Sequence, residues 1–414
     1  MTQAFNLSQF ANNVNSAGVA QTGGGGTGTN IASNDLTVNG LTVGLGAGST
    51  SASTVLGVGA LSGSNTGNYN TAIGKSSLLV NTSGSENVSI GFESLKANTT
   101  GIKNVSVGTD TMASNTTGGS NVALGWQALV LNTTASNNTA VGYQSLYSNV
   151  TGTLNTAVGW LSGYSKTSAD NFGSVFVGAV SGYATTTGGE NVFVGGYSGR
   201  YNTTGSYNTG LGVQALFNNT TASNNTAVGY QAGAGITTGG FNTCLGWNTG
   251  NYGTPLTTGG YNIYIGTYVA PSAAAANFEI AIGYNVAGKG SSTTYIANPC
   301  YQGNNSAAWS ITSDQRLKKN IVDNTDGLNK ITAIQVRNFE YRTKDEITDL
   351  PNQYVIGITG EQIGAIAQEL QVILPDCVKT ESTGVMSVDT TNLTWYLINA
   401  VKELNAKITA LENK

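Results

Sequence analysis

A glycine recurs at a fixed interval along most of the chain. Within the pattern Asn-x-x-aliphatic-Gly, Gly74, Gly91, Gly108, Gly125, Gly142 and Gly159 are each 17 residues apart. After a gap of 19 come Gly178, Gly195, Gly212, Gly229 and Gly246, and after a gap of 20 come Gly266 and Gly283. Gly59 reads as a degenerate first copy. The residue before the glycine is aliphatic throughout, as in Ile90, Leu124, Val158 and Ile282, and two residues earlier stands Val, Thr or Ile. Period-two alternation puts both positions on one face of a short strand. Four residues after the glycine there is often a large apolar side chain, such as Leu78, Leu95, Met112 or Leu216, and elsewhere glycine. Asn-Thr-Thr-Gly or a relative follows and reads as a turn. One short strand and one turn cannot bury a face alone, whereas stacked coils can. The expected fold is therefore mainly β: a solenoid with one rung per copy, in which about 14 rungs spaced roughly 4.8 Å apart make a rod of roughly 65 Å.

Three further features share this phase. The asparagine four before the glycine recurs at Asn70, Asn87, Asn104, Asn121, Asn138, Asn155, Asn191, Asn208, Asn225, Asn242 and Asn262. Several asparagines start Asn-x-Thr, the signature of a glycosylation acceptor. Strict phase with the strand favours instead a ladder of side-chain amides bonded rung to rung. Aromatic residues often follow the glycine: Phe92, Trp126, Tyr143, Trp160, Tyr230, Trp247 and Tyr284. Trp126, Tyr143, Trp160, Tyr230 and Trp247 are candidates for stacking on sugar rings, against the plainer reading of burial between neighbouring subunits, which is preferred. Glu93 and Asp110 occupy the same place in successive rungs, where carboxylates about 5 Å apart would match a retaining glycosidase pair. Nothing else in the sequence marks a cleft there.

Composition excludes several classes. Among the 414 residues there is no histidine, so Ser-His-Asp and Cys-His catalysis and His-ligated metal sites are out. The three cysteines, Cys244, Cys300 and Cys377, are far apart and form no CxxC pair. No metal or other cofactor is expected. A net charge of −4 argues against nucleic-acid binding. No apolar run is long enough to insert into a membrane. Residues 1–21 lack the basic start and apolar stretch of a signal peptide, which points to synthesis in a cytoplasm and release by another route, such as lysis.

Charge also divides the chain. Residues 1–308 hold 13 of the 38 charged residues and 52 of the 57 glycines, and residues 309–414 hold the remainder. The join falls near Trp309 to Thr312. The expected order is an attachment segment and Gly-rich joint over 1–30, a β cap over 31–58, the repetitive shaft over 59–308 and a distinct α+β domain over 309–414. Within the first part, Leu36 to Val43 alternates like a strand pair around a turn. In the last helix Leu397, Val401, Leu404, Ile408 and Leu411 follow a four-three alternation, a coiled-coil seam. β-Branched residues alternating with leucine there favour a parallel dimer.

Ser313-Asp-Gln-Arg-Leu-Lys-Lys-Asn-Ile321 resembles the opening motif of the intramolecular chaperone domain of phage tail proteins, the self-cleaving peptidase S74 family of endosialidase tailspikes. Ile363-Gly-Ala-Ile-Ala-Gln-Glu-Leu370, the Leu374-Pro-Asp376 after it, and the stretch Asn392 to Lys414 resemble later parts of the same domain, in the same order. The rungs look more loosely like repeats in phage fibres and in the heads of trimeric bacterial adhesins. The resemblance implies a homotrimeric virion tail fibre, joined to other tail proteins and meeting a host-surface glycan or protein receptor. It also implies that the C-terminal domain assists trimerisation and is then released by autoproteolysis, with Ser313 as nucleophile, Lys318 as its base, and Asp314 and Arg316 in supporting positions. This implied trimer is kept over the dimer that the seam favours. Without histidine, a lysine can activate a hydroxyl if desolvation or neighbouring cations such as Arg316 and Lys319 lower its pKa. No turnover enzyme is expected. Two alternatives stay open: a glycan depolymerase using Glu93 and Asp110, and a cellular trimeric adhesin.

Overall fold

The computed structural model describes residues 36–38, 41–44, 52–167, 173–296, 314–350, 356, 358–380 and 384–413. The proposed attachment segment and glycine run of residues 1–30, the join at 309–312 and Ser313 lie outside them. One sheet of 17 strands runs through the front of the chain, wound as a β-solenoid of about 14 turns. It opens with a hairpin: Leu36–Val38 pairs antiparallel with Leu41–Gly44, which pairs antiparallel with Thr54–Val58. From Thr54–Val58 to Thr294–Ile296 every neighbouring pair is parallel. The register is in step with the repeat, so that Val105 faces Val122 and Val122 faces Thr139. The 19- and 20-residue gaps leave it intact: Val175 faces Thr156, and Ile263 faces Thr243.

Two readings of the repeat need correction. In the first rung Leu56 pairs with Ile73, which makes Gly57, not Gly59, the counterpart of Gly74. The aliphatic positions also do not form the inside of the coil. In the three-residue strands from Thr71–Ile73 to Thr243–Leu245 the middle residue is buried and the flanking pair points outward. Ala123 and Leu129 are fully buried, whereas Val122 and Leu124 keep 38% and 44% of their surface. The interior of a coil this narrow takes Ala, Ser or Cys from the strand and Leu or Met from the turn four residues past the glycine, as one continuous core from Val55 to Val286.

Where the interior departs from that rule, it does so in matched sets. Phe176 and Phe193 replace the small strand residue, and their rings stack 6.1 Å apart. The turn positions around them are Gly163, Gly182 and Gly199, at which a Cβ would strike one of these rings. The turn position has φ near +50° even for Leu95, Leu129 and Leu146, a strained region for a leucine and an easy one for glycine. The glycine that ends each strand is needed for a different reason. A Cβ on Gly125 would lie 2.6 Å from the carbonyl oxygen of Gly142 in the next rung.

Two asparagine ladders line the coil. In the expected one, Asn121 Nδ2 donates to Asn104 Oδ1 at 3.1 Å and to the Ala135 carbonyl at 2.9 Å, and the Asn121 amide donates to the same Asn104 Oδ1 at 3.0 Å. The second runs through the turn seven residues past the glycine: Asn98 donates to Asn81 at 2.8 Å, Asn115 to Asn98 at 2.8 Å and Asn132 to Asn115 at 2.7 Å. All of these amides are buried, and buried amides persist only when paired. Glu279 ends the first ladder. Its amide donates to Asn262 Oδ1, and its fully buried carboxylate accepts from Tyr264 Oη at 2.9 Å, the Ser272 amide at 3.1 Å and the Gly290 amide at 2.8 Å. Burial and this carboxylate push the Tyr264 hydroxyl pKa up.

After the solenoid comes a small α+β region. Helices α1 (Leu328–Ala333), α2 (Ala367–Ile373) and α3 (Thr390–Glu412) pack with two antiparallel strand pairs, Arg337–Phe339 with Gln362–Gly364 and Val378–Thr380 with Met386–Val388. Its core is small. Leu370, Leu374 and Cys377 are fully buried, with Ile334, Ile373, Val388, Leu393 and Tyr396 packed around them.

Candidate functional site

The opening motif starts as a single turn. Asp314 caps a 3-10 turn, Gln315–Leu317, by accepting from the Arg316 amide at 2.8 Å. The Arg316 guanidinium returns to the same carboxylate through Nε at 3.0 Å and Nη2 at 2.6 Å. That two-pronged bond holds the Asp314 carboxyl below the usual carboxylate range. Lys318 follows the turn, its amide donating to the Gln315 carbonyl at 3.1 Å. Its side chain is exposed. Ser313 lies outside the described residues.

Behind this turn, polar contacts tie the domain together. Arg337 bonds Glu369 at 3.0 Å, joining a strand to α2. Lys379 bonds Asp389 at 2.7 Å. Asp389 caps α3 by accepting from the Thr391 amide at 2.9 Å, and with Lys379 beside it its carboxyl pKa falls to about 2. A cleft of about 690 Å³ opens between residues 322–325 and α3. In it Tyr396 Oη donates to Asp376 at 2.9 Å, and Asn399 Nδ2 donates to the Asn324 carbonyl at 2.8 Å. Arg337–Glu369, Tyr396–Asp376 and Asn399–Asn324 join residues 20 or more apart in the chain, which no local pattern displays.

The seam of α3 is open. Leu397, Val401, Leu404, Ile408 and Leu411 are all exposed, as are Trp395, Ile363 and Val372. Among the described residues of this domain only Leu370, Leu374 and Cys377 are fully buried apolar side chains, a small core beside this much exposed apolar surface.

On the solenoid, Trp126, Tyr143, Trp160, Tyr230 and Trp247 are all partly exposed and occupy one column, directly after the strand glycine. Within it Trp126 and Tyr143 lie 4.9 Å apart, and Tyr230 and Trp247 lie 6.1 Å apart. The column adjoins the outward aliphatic residues, so the rings continue an apolar face. Glu93 is paired with Lys96 at 2.8 Å. Its column, with Asp110, continues as amide contacts, Gln144 to Gln127 at 2.8 Å and Gln231 to Gln214 at 2.7 Å. That column is a polar outer ladder. Among the described residues there is no cluster of metal-ligating side chains and no helix long and apolar enough to cross a membrane.

The fold is thus a mainly β solenoid followed by a small α+β domain with an open terminal helix. Residues 313–379 match the family described as chaperone of endosialidase, peptidase S74. No curated protein and no solved structure matches the chain. The match starts at the serine singled out above, and together with the solenoid it fits a tail fibre or tailspike carrying a C-terminal chaperone domain.

Proposed function

We propose that the chain is the subunit of a homotrimeric phage tail fibre that serves host-surface attachment in the virion, and that its C-terminal domain assembles the shaft and then cuts itself away. The observation that carries this reading is the family match beginning at Ser313, directly behind a repetitive shaft. Physics gives the shaft a reason to need help. Near-identical rungs can pair one repeat out of step while keeping most contacts. Non-local parallel pairing is also slow and leaves edges open. Holding three chains together by the exposed seam of α3 would address both problems.

In this reading Ser313 Oγ is the nucleophile, Lys318 Nζ takes its proton, and the Asp314–Arg316 pair fixes the turn that carries them. Lys318 is exposed on one chain, and neighbouring copies would cover it on assembly, so cleavage follows assembly. Release would then make the assembled shaft kinetically stable. Mass spectrometry of purified protein tests this. Wild type should yield a shaft fragment and a C-terminal fragment meeting at Ser313, and Ser313→Ala should stay at full length. Identical full-length masses for both would refute self-cleavage.

A further inference from the structure

We propose that the outward face of the solenoid sheet is the surface on which three copies of this chain pack along the shaft, with the aromatic column inside that contact. The inference rests on the trimer reading above and adds which face meets which.

Three adjoining columns make up the face: the first and third residues of each strand, and the residue after the glycine. Across one rung these are Val122, Leu124 and Trp126, exposed by 38%, 44% and 41%. Over the thirteen rungs from Gly74 to Gly283 these columns contain one charged residue, Lys75, whose ammonium sits over the Phe92 ring at 5.8 Å. The surface beyond the turns is different in kind. It carries Asn-Thr-Thr-Gly and its relatives, with threonines such as Thr100, Thr134 and Thr204 exposed. Exposed apolar residues also lie beside those turns, among them Tyr207, Phe241, Tyr261 and Phe278, but that column is interrupted by Glu86, Lys103 and Glu190, whereas the third strand residue is aliphatic in every rung from Ile73 to Ile282. An outward column that is aliphatic at every rung has an unmet partner.

The occupant follows from shape and period. The face repeats at the rung spacing along its whole length, and a second copy of the chain offers the same period, so each rung can meet its own equivalent. With strands about 4.8 Å apart and about 3.3 Å per residue, the face covers on the order of 900 Å² per copy. That is the size of one side of a stable protein interface, about 800 Å². Flanking α3 seams, also apolar and exposed, extend the same logic beyond the shaft. A sugar ligand would need open ring faces and polar groups beside them. The strand residue nearest each ring is aliphatic instead, Leu124, Val141, Val158, Val228 and Leu245, and the threonines Thr139, Thr156, Thr226 and Thr243 stand two residues further from the rings.

Single cysteines in the full-length chain test the proposal. In Val141→Cys, identical residues on the inner face approach one another, and mild oxidation should give a disulfide-linked dimer band for the majority of chains. Thr134→Cys, on the opposite side, and wild type should give none. Light-scattering mass is measured in parallel on each variant. A trimeric mass with no cross-link at Val141→Cys, or with equal cross-linking at Thr134→Cys, overturns the assignment of this face and leaves the trimer standing. A monomeric mass overturns both.

Discussion

At the scale of single residues, the fold depends on amides that have no alternative to one another. Asn121 serves five hydrogen bonds: three donated toward Asn104 and Ala135, and two accepted from Asn138 at 2.9 and 3.2 Å. Asn121→Ala strands the Asn138 backbone N–H in a dry interior and takes one of two donors from the Ala135 carbonyl, which keeps Asn132 Nδ2 at 3.1 Å. A loss on the order of 3 kcal/mol is expected, against less than about 0.5 kcal/mol for the exposed Thr134→Ala. Thermal unfolding of the two variants checks this; equal melting temperatures would mean the ladder contributes nothing. This ladder was legible in the sequence because its asparagines keep phase with the strand. The second ladder has the same 17-residue spacing at Asn81, Asn98, Asn115 and Asn132, but it sits inside Asn-Thr-Thr-Gly, where asparagine already has a reason to be in a turn. Its role needs the turn's position over the core, which local chemistry does not display. Lys318 is a similar case. Its place in a motif can be read from residues alone, but its burial cannot.

At the scale of the element, a strand of three residues defeats the usual inference. Two aliphatic residues flanking a small one look like a strand with its aliphatic face inward, yet here the small residue is inside because the coil is too thin for more. The apolar pattern was legible, and its direction was not. The matched sets show how the interior is kept full. Phe176 lies against Gly163 and Gly182, while Ala123 goes with Leu129. Phe176→Ala should cost about 3–5 kcal/mol by opening a cavity, and Gly182→Leu should destabilise by driving a side chain into the ring. The double variant restores the pairing of the Gly125 rung and should melt above either single variant. Additive losses in the three melting curves would show that the two positions do not share one space. Such sets also oppose slippage, because a shift of one repeat would bring Phe193 against Leu216 in place of Gly199.

At the scale of the whole molecule, two objects of different chemistry follow one another. The first buries small apolar residues and amides in a repeating column and leaves an apolar face along its length. The second buries little and exposes an apolar helix. Each makes sense as part of a larger assembly, which is also what the family match to residues 313–379 implies. Everything rests on the rungs forming one unbroken parallel column, and distances between spin labels test that directly. Thr100, Thr151, Thr204 and Thr238 are exposed and occupy equivalent places in rungs ending at Gly91, Gly142, Gly195 and Gly229. With labelled chains diluted into unlabelled ones, the pairs 100/151, 100/204 and 100/238 should lie about 14, 29 and 38 Å apart, in proportion to three, six and eight rungs at about 4.8 Å each. Distances that fail to grow with rung number, or that jump between the 100/151 and 100/204 pairs, across the 19-residue gap from Gly159 to Gly178, would contradict the single column.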